Sequence, residues 1–150
     1  MNTCDLLESC IRIERTLAEI YETFMKQQAD CSEYARLWQK TAQEEHNHEQ
    51  QFVLAKRLAC SMATSTARAP QPSDELLQHL ETVRARVADT MLAPGEAIRL
   101  AIGLEEQMSS FHMDKMHLFS DESTNSLFKA MMKHDNEHVD ALKKAFDSLV

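Results

Sequence analysis

Four carboxylates and two imidazoles interrupt otherwise apolar helical seams: Glu14, Glu45, His48, Glu105, Asp135 and His138. Counted at heptad spacing, the first seam reads Leu7, Cys10, Glu14, Leu17, Tyr21, Phe24. The second reads Tyr34, Leu37, Thr41, Glu45, His48, Phe52, Ala55. A third gives Ile98, Ala101, Glu105, Met108, His112, and the last Phe128, Met131, Asp135, His138, Leu142, Ala145. Each ionisable group therefore sits near the middle of its helix, on the face that should be buried. Taking a lone carboxylate out of water costs several kcal/mol even after relaxation, and four together repel one another. Two divalent cations would balance four negative charges. The two imidazoles add nitrogen donors that suit iron or manganese, with zinc a further choice, over magnesium or calcium.

The spacings repeat. Glu45 and His48 are three apart, as are Asp135 and His138, so each pair faces one way on a helix. Glu14 precedes Glu45 by 31 residues and Glu105 precedes Asp135 by 30. One acid followed by acid-x-x-His thus occurs twice. Tyr21 and His112 hold matching places, each seven residues after the glutamate on its helix's seam, Glu14 or Glu105.

Helices must position these groups, and the composition supplies them. With two glycines and three prolines in 150 residues, the chain has few places to turn. Its abundant Ala, Leu, Met, Glu, Gln and Lys lose little side-chain freedom in a helix. The apolar periodicity predicts helices from about Thr3 to Gln28 and from about Glu33, with Ser32 as N-cap, to Ala63. The linker-like stretch Ser61–Pro72 follows, then a shorter helix from about Asp74 to Met91 capped by Ser73. Pro94 starts another helix running to about Phe119. The last, capped in the Ser120–Ser123 region, runs to about Leu149. The expected fold is all-α and a single domain over residues 1–150: a ferritin-like bundle of two antiparallel hairpins, joined by a long crossover that holds a short fifth helix.

Other classes are disfavoured. A net charge of −8 without a basic stripe argues against nucleic acid. No apolar run approaches a membrane span, and Met1–Asp5 lacks the features of a secretory signal, so the expected location is cytoplasmic. Cys4, Cys10, Cys31 and Cys60 form no C-x-x-C pair and read as reduced thiols near helix faces. The nine methionines read as pliable core filler. His46 and Glu137 should point away from the seams, the seam register prefers Glu45 over Glu44 for the inward position, and His134 reads as solvent-facing, with a place beside the site as the alternative.

The sequence resembles the ferritin-like di-iron family, near its rubrerythrin and bacterioferritin branch, over nearly its whole length. The stretches that carry the resemblance are Glu14-Arg-Thr-Leu-Ala-Glu-Ile-Tyr21, Glu45-His-Asn-His48, Ala101-Ile-Gly-Leu-Glu105 and Asp135-Asn-Glu-His138. It implies two iron ions, with Glu14 and Glu105 as terminal carboxylates, Glu45 and Asp135 as bridges, and His48 and His138 binding one ion each. Tyr21 would hydrogen-bond a ligand carboxylate. Three departures stand out. Asp135 occupies a place where relatives carry the longer Glu. Met108 replaces a further Glu of rubrerythrins, and His112 falls where a tyrosine is usual. The implied activity is oxidation-reduction with dioxygen or hydrogen peroxide, served by an electron-donor protein, in a homodimer. A structural or sensory metal module, or a ferroxidase and iron-storage protein, would carry the same ligands.

Overall fold

The computed structural model describes residues 3–60, 72–116, 118 and 122–149. These form α1 (Thr3–Gln27), α2 (Ser32–Ala59), α3 (Pro72–Asp89), α4 (Pro94–Met116) and α5 (Glu122–Asp147), with no strand among the described residues. The all-α class and the order of five helices are as the periodicity predicts. The chain divides into two compact units, Met1–Met91 and Leu92–Val150.

In the first unit α1 and α2 run antiparallel, as their cross-links show. Lys56 Nζ donates to Glu8 Oε2 at 2.5 Å, Arg15 Nε to Glu49 Oε1 at 2.7 Å, and His46 meets Glu22. At the turn, the indole N–H of Trp38 donates to Gln28 Oε1 at 2.8 Å. Helix α3 runs parallel to α1 along another side. Arg12 pairs with Glu81 at 3.5 Å and Arg84 with Glu19 at 2.5 Å, and Gln27 Nε2 donates to the carbonyls of Val87 and Thr90. Flanked by two helices, α1 buries more than one stripe: Leu6, Ile13 and Ile20 join the expected Leu7, Cys10, Leu17, Tyr21 and Phe24. Each large apolar side chain removed from water contributes about 1.5–3 kcal/mol. From α3, Leu77, Leu80, Val83 and Val87 are buried.

Three expectations for α2 need correction. Its N-cap is Cys31, in extended conformation and with no side-chain cap bond, so Ser32 is already inside the helix. The seam also drifts. Tyr34, Leu37 and Ala55 are only half-buried and Ala59 is exposed, whereas Trp38 and Ala42 are buried. A straight helix rotates by about 20° per heptad against a strict seven-residue count, so positions far from the centre leave the seam. Trp38 fills the space instead, stacking on Tyr21 with ring centres 5.6 Å apart and lying 4.9 Å from Phe24. Thirdly, the helix ends at Ala59 with Cys60 as C-cap; residues 61–63, and most of the linker, lie outside the described residues.

In the second unit α4 and α5 form an antiparallel hairpin. Ser109 Oγ donates to Asn136 Oδ1 at 3.0 Å, and Asn125 Nδ2 to the Met116 carbonyl at 2.9 Å. Ile98, Ala101, Met108, Phe128, Met131 and Leu142 are buried, as the seams predict. Residues 120 and 121 of the expected cap lie outside the described residues, and Ser123 is within α5. Ser73 likewise falls inside α3, which starts at Pro72.

The cysteines also depart from expectation. Cys4 and Cys60 form a disulfide across 56 residues, while Cys10 and Cys31 are not disulfide-bonded. The reason is tertiary: antiparallel packing brings the first turn of α1 to the last turn of α2. Closing a loop of this length removes unfolded-chain entropy worth up to about 4 kcal/mol. Replacing both residues by serine should lower the thermal midpoint of the oxidised protein by roughly 5–15 °C, measured by circular dichroism. An unchanged midpoint would show that the bond does not constrain the chain.

Candidate metal centre

The first unit brings Glu14, Glu45 and His48 together in its interior. Glu14 and Glu45 are fully buried and His48 is 2% exposed. His48 Nδ1 donates to Glu45 Oε2 at 3.0 Å and lies 3.7 Å from Glu14 Oε2. One donor atom from each of the three lies within 4.8 Å of the others. An ion bound at about 2.0–2.2 Å holds ligands across it at up to roughly 4.4 Å, so this cluster is close to the size of one coordination sphere. The donor set of two carboxylates and one imidazole suits a transition metal.

The local reason for the cluster is helical geometry. Glu45 and His48 project together from α2 because they are one turn apart. Glu14 reaches them from α1, between Cys10 and Leu17 of the buried seam. Burial pulls the His48 pKa down, but the charge of Glu14 and the bond and charge of Glu45 outweigh it. In the metal-free chain the imidazole is pushed up to about 11. A proton on His48 thus serves as counter-ion to the two acids.

The second unit gathers Glu105, His112 and Asp135, all fully buried, and His138, which is 6% exposed. His138 Nδ1 donates to Glu105 Oε1 at 3.3 Å, from α5 to α4. His112 Nδ1 donates to Asp135 Oδ2 at 2.6 Å. A carboxylate can only accept, so the ring nitrogen carries the proton in each contact. His112, seven residues after Glu105 on α4, is thereby revealed as the donor that orients Asp135. The two units are not copies of one geometry: Glu45 spans one turn to its own-helix His48, whereas the shorter Asp135 is held by His112 from the neighbouring helix.

His46, Glu44 and Glu137 fall where their register puts them. His46 faces Glu22 and Glu49, away from Glu45. Its pKa is lowered by burial but raised overall by those two acids. Glu44 is half-buried, 4.0 Å from Lys40, so Glu45 holds the inward position. Glu137 is exposed near Lys133, and His134 is half-buried. Tyr21 is buried in the aromatic group with Phe24 and Trp38. Sequence reasoning missed Glu49, 6% exposed and clasped by Arg15 and His46. Its signal was present: it lies four residues after Glu45, next to the inward stripe.

No family model, curated protein or solved structure matches the chain.

The raised His48 pKa has a defined sign. Its stabilisation of the metal-free protein is full below about pH 6.5 and is lost as pH rises toward 11. The stability difference between metal-free wild type and His48→Gln, from urea midpoints, should shrink steadily across that range. A difference that grows with pH would show that His48 is not held as an imidazolium.

Proposed function

We propose that the protein binds a pair of metal ions, iron in the first instance, through Glu14, Glu45, His48, Glu105, Asp135 and His138. The observation that carries this reading is the convergence of Glu14, Glu45 and His48, buried, with donor atoms within 4.8 Å of one another. The repeat of the same residue types in the second unit extends it to a second ion, as does the charge balance of two cations against four acids. In this reading the two hairpins assemble as a ferritin-like four-helix bundle. Manganese or zinc would suit the same donors.

A bound metal pair would supply redox chemistry toward dioxygen or hydrogen peroxide, making the protein an oxidoreductase. An electron-donor protein and a homodimeric assembly belong to the same proposal. The chain's own residues have separate tasks. Glu14, Glu45, Glu105 and Asp135 would supply the carboxylates that hold the ions. His48 would give up its proton on ligating an ion. His112 keeps Asp135 in one orientation through the 2.6 Å bond. The apolar neighbours Leu17, Phe52, Met108 and Met131 are buried and lie next to the ligands along the seams. They keep the surroundings of the acids dry and strengthen every charge interaction.

Elemental analysis after anaerobic ferrous loading should give about two metals per chain. Glu45→Ala should lower that number, and stopped-flow absorbance should show ferrous oxidation faster than in buffer. Less than about one metal per chain, unchanged by Glu45→Ala, would remove the central claim. Full metal content with no acceleration would support a structural or sensory module, and stoichiometric iron uptake a ferroxidase. Binding should also release protons, because His48 must lose one to ligate. Calorimetry in buffers of different ionisation enthalpy should show this release, and His48→Gln should reduce it.

A further inference from the structure

The Cys4–Cys60 disulfide borders a surface groove of about 510 Å³ in the first unit, lined by Glu8, Ile11, Arg15, Val53, Lys56, Arg57 and Cys60. That volume falls within the range of small-molecule sites. Three features set the groove apart. Its lining carries three cations against one acid in a chain whose net charge is −8. Lys56 is engaged by Glu8 and Arg15 by Glu49, whereas Arg57 is exposed and makes no ion pair among the described residues. Finally, Cys60 lines the groove and is half-exposed, and Cys4, also half-exposed, is not among the lining residues. An incoming group in the groove therefore meets Cys60 first.

We propose that Cys4–Cys60 is a reversible thiol–disulfide couple, with the groove receiving a small carboxylate-bearing thiol that attacks Cys60. The thiolate forms a bond to Cys60 Sγ while the Cys4–Cys60 bond breaks, and the electron pair departs on Cys4 Sγ. Cys4 is the second residue of α1, where the N–H groups and positive end of the helix favour a negative sulfur. A second thiolate then attacks the small-molecule sulfur of the mixed disulfide and releases Cys60 as a thiolate. Two small thiols are oxidised to one disulfide, the protein bond is reduced to two thiols, and the sulfurs take protons from water.

Lys56 and Arg57 draw the carboxylate against the repulsion of an otherwise acidic surface, while Ile11 and Val53 give the groove its apolar wall. In a reducing compartment, a disulfide that forms is usually transient and redox-active. The two cysteines outside the disulfide offer a contrast. Cys10 is fully buried, and Cys31 does not line this groove.

The test uses three monothiols on the native, oxidised full chain: anionic thioglycolate, neutral 2-mercaptoethanol and cationic cysteamine. Rates of disulfide opening, followed by alkylation and mass spectrometry, are corrected for each thiol's own basicity. Thioglycolate should react about tenfold faster than cysteamine, with 2-mercaptoethanol between, and the preference should fade in high salt. Lys56→Gln with Arg57→Gln, two surface changes checked by circular dichroism, should abolish the preference without preventing reduction. Early quenching should map the mixed disulfide to Cys60. Equal corrected rates, an adduct on Cys4, a bond opened only in denaturant, or purified protein lacking the bond under oxidising conditions would each overturn the proposal.

Discussion

Buried negative charge is the constraint on which this protein is organised. Glu14, Glu45, Glu105 and Asp135 are all fully excluded from solvent, and a carboxylate there is tolerable only beside something positive. In the metal-free chain each has a ring nitrogen of a histidine within reach: His48 for Glu14 and Glu45, His138 for Glu105, His112 for Asp135. The helices follow from this need. Antiparallel pairing puts donors of one helix opposite acceptors of the next at mid-length, and the apolar residues on either side seal the charges from water. A metal ion held by Glu14, Glu45 and His48 could take over the electrostatic role of the proton on His48.

The two units meet this demand differently. In the first, the acid-x-x-His pair of α2 is bonded within its own helix and α1 adds a third group. In the second, the His138–Glu105 and His112–Asp135 bonds run between α4 and α5, and a third histidine, His112, takes part. Shortening one acid by a methylene, from Glu to Asp, accompanies the change. A second charged layer lies outside the first unit's cluster, where Glu49 is clasped by Arg15 and His46, and His46 in turn meets Glu22. This layer ties α1 to α2 beside the inward-facing acids and is a structural support for their placement.

Much of this was legible in the residues, and the limits were physical. Local spacing decides which side chains share a helix face, so Glu45 with His48, and the outward turns of His46 and Glu137, could be read directly. Spacing within one helix says nothing of which groups meet across two, so the His112–Asp135 bond and the clasp of Arg15 on Glu49 could not. The seam of α2 was misplaced at both ends because a heptad count drifts against 3.6 residues per turn, and Trp38 took the place assigned to Tyr34 and Leu37.

By itself, then, the sequence determined the all-helical class, the order of five helices and the six acids and histidines on buried faces, because composition and periodicity act locally. The partnership of Cys4 with Cys60, the groove beside it and the histidines that face Glu14, Glu105 and Asp135 were decided only in the tertiary structure. Those features depend on atoms 23 to 56 residues apart in the chain being packed into contact, and no local preference specifies such pairs.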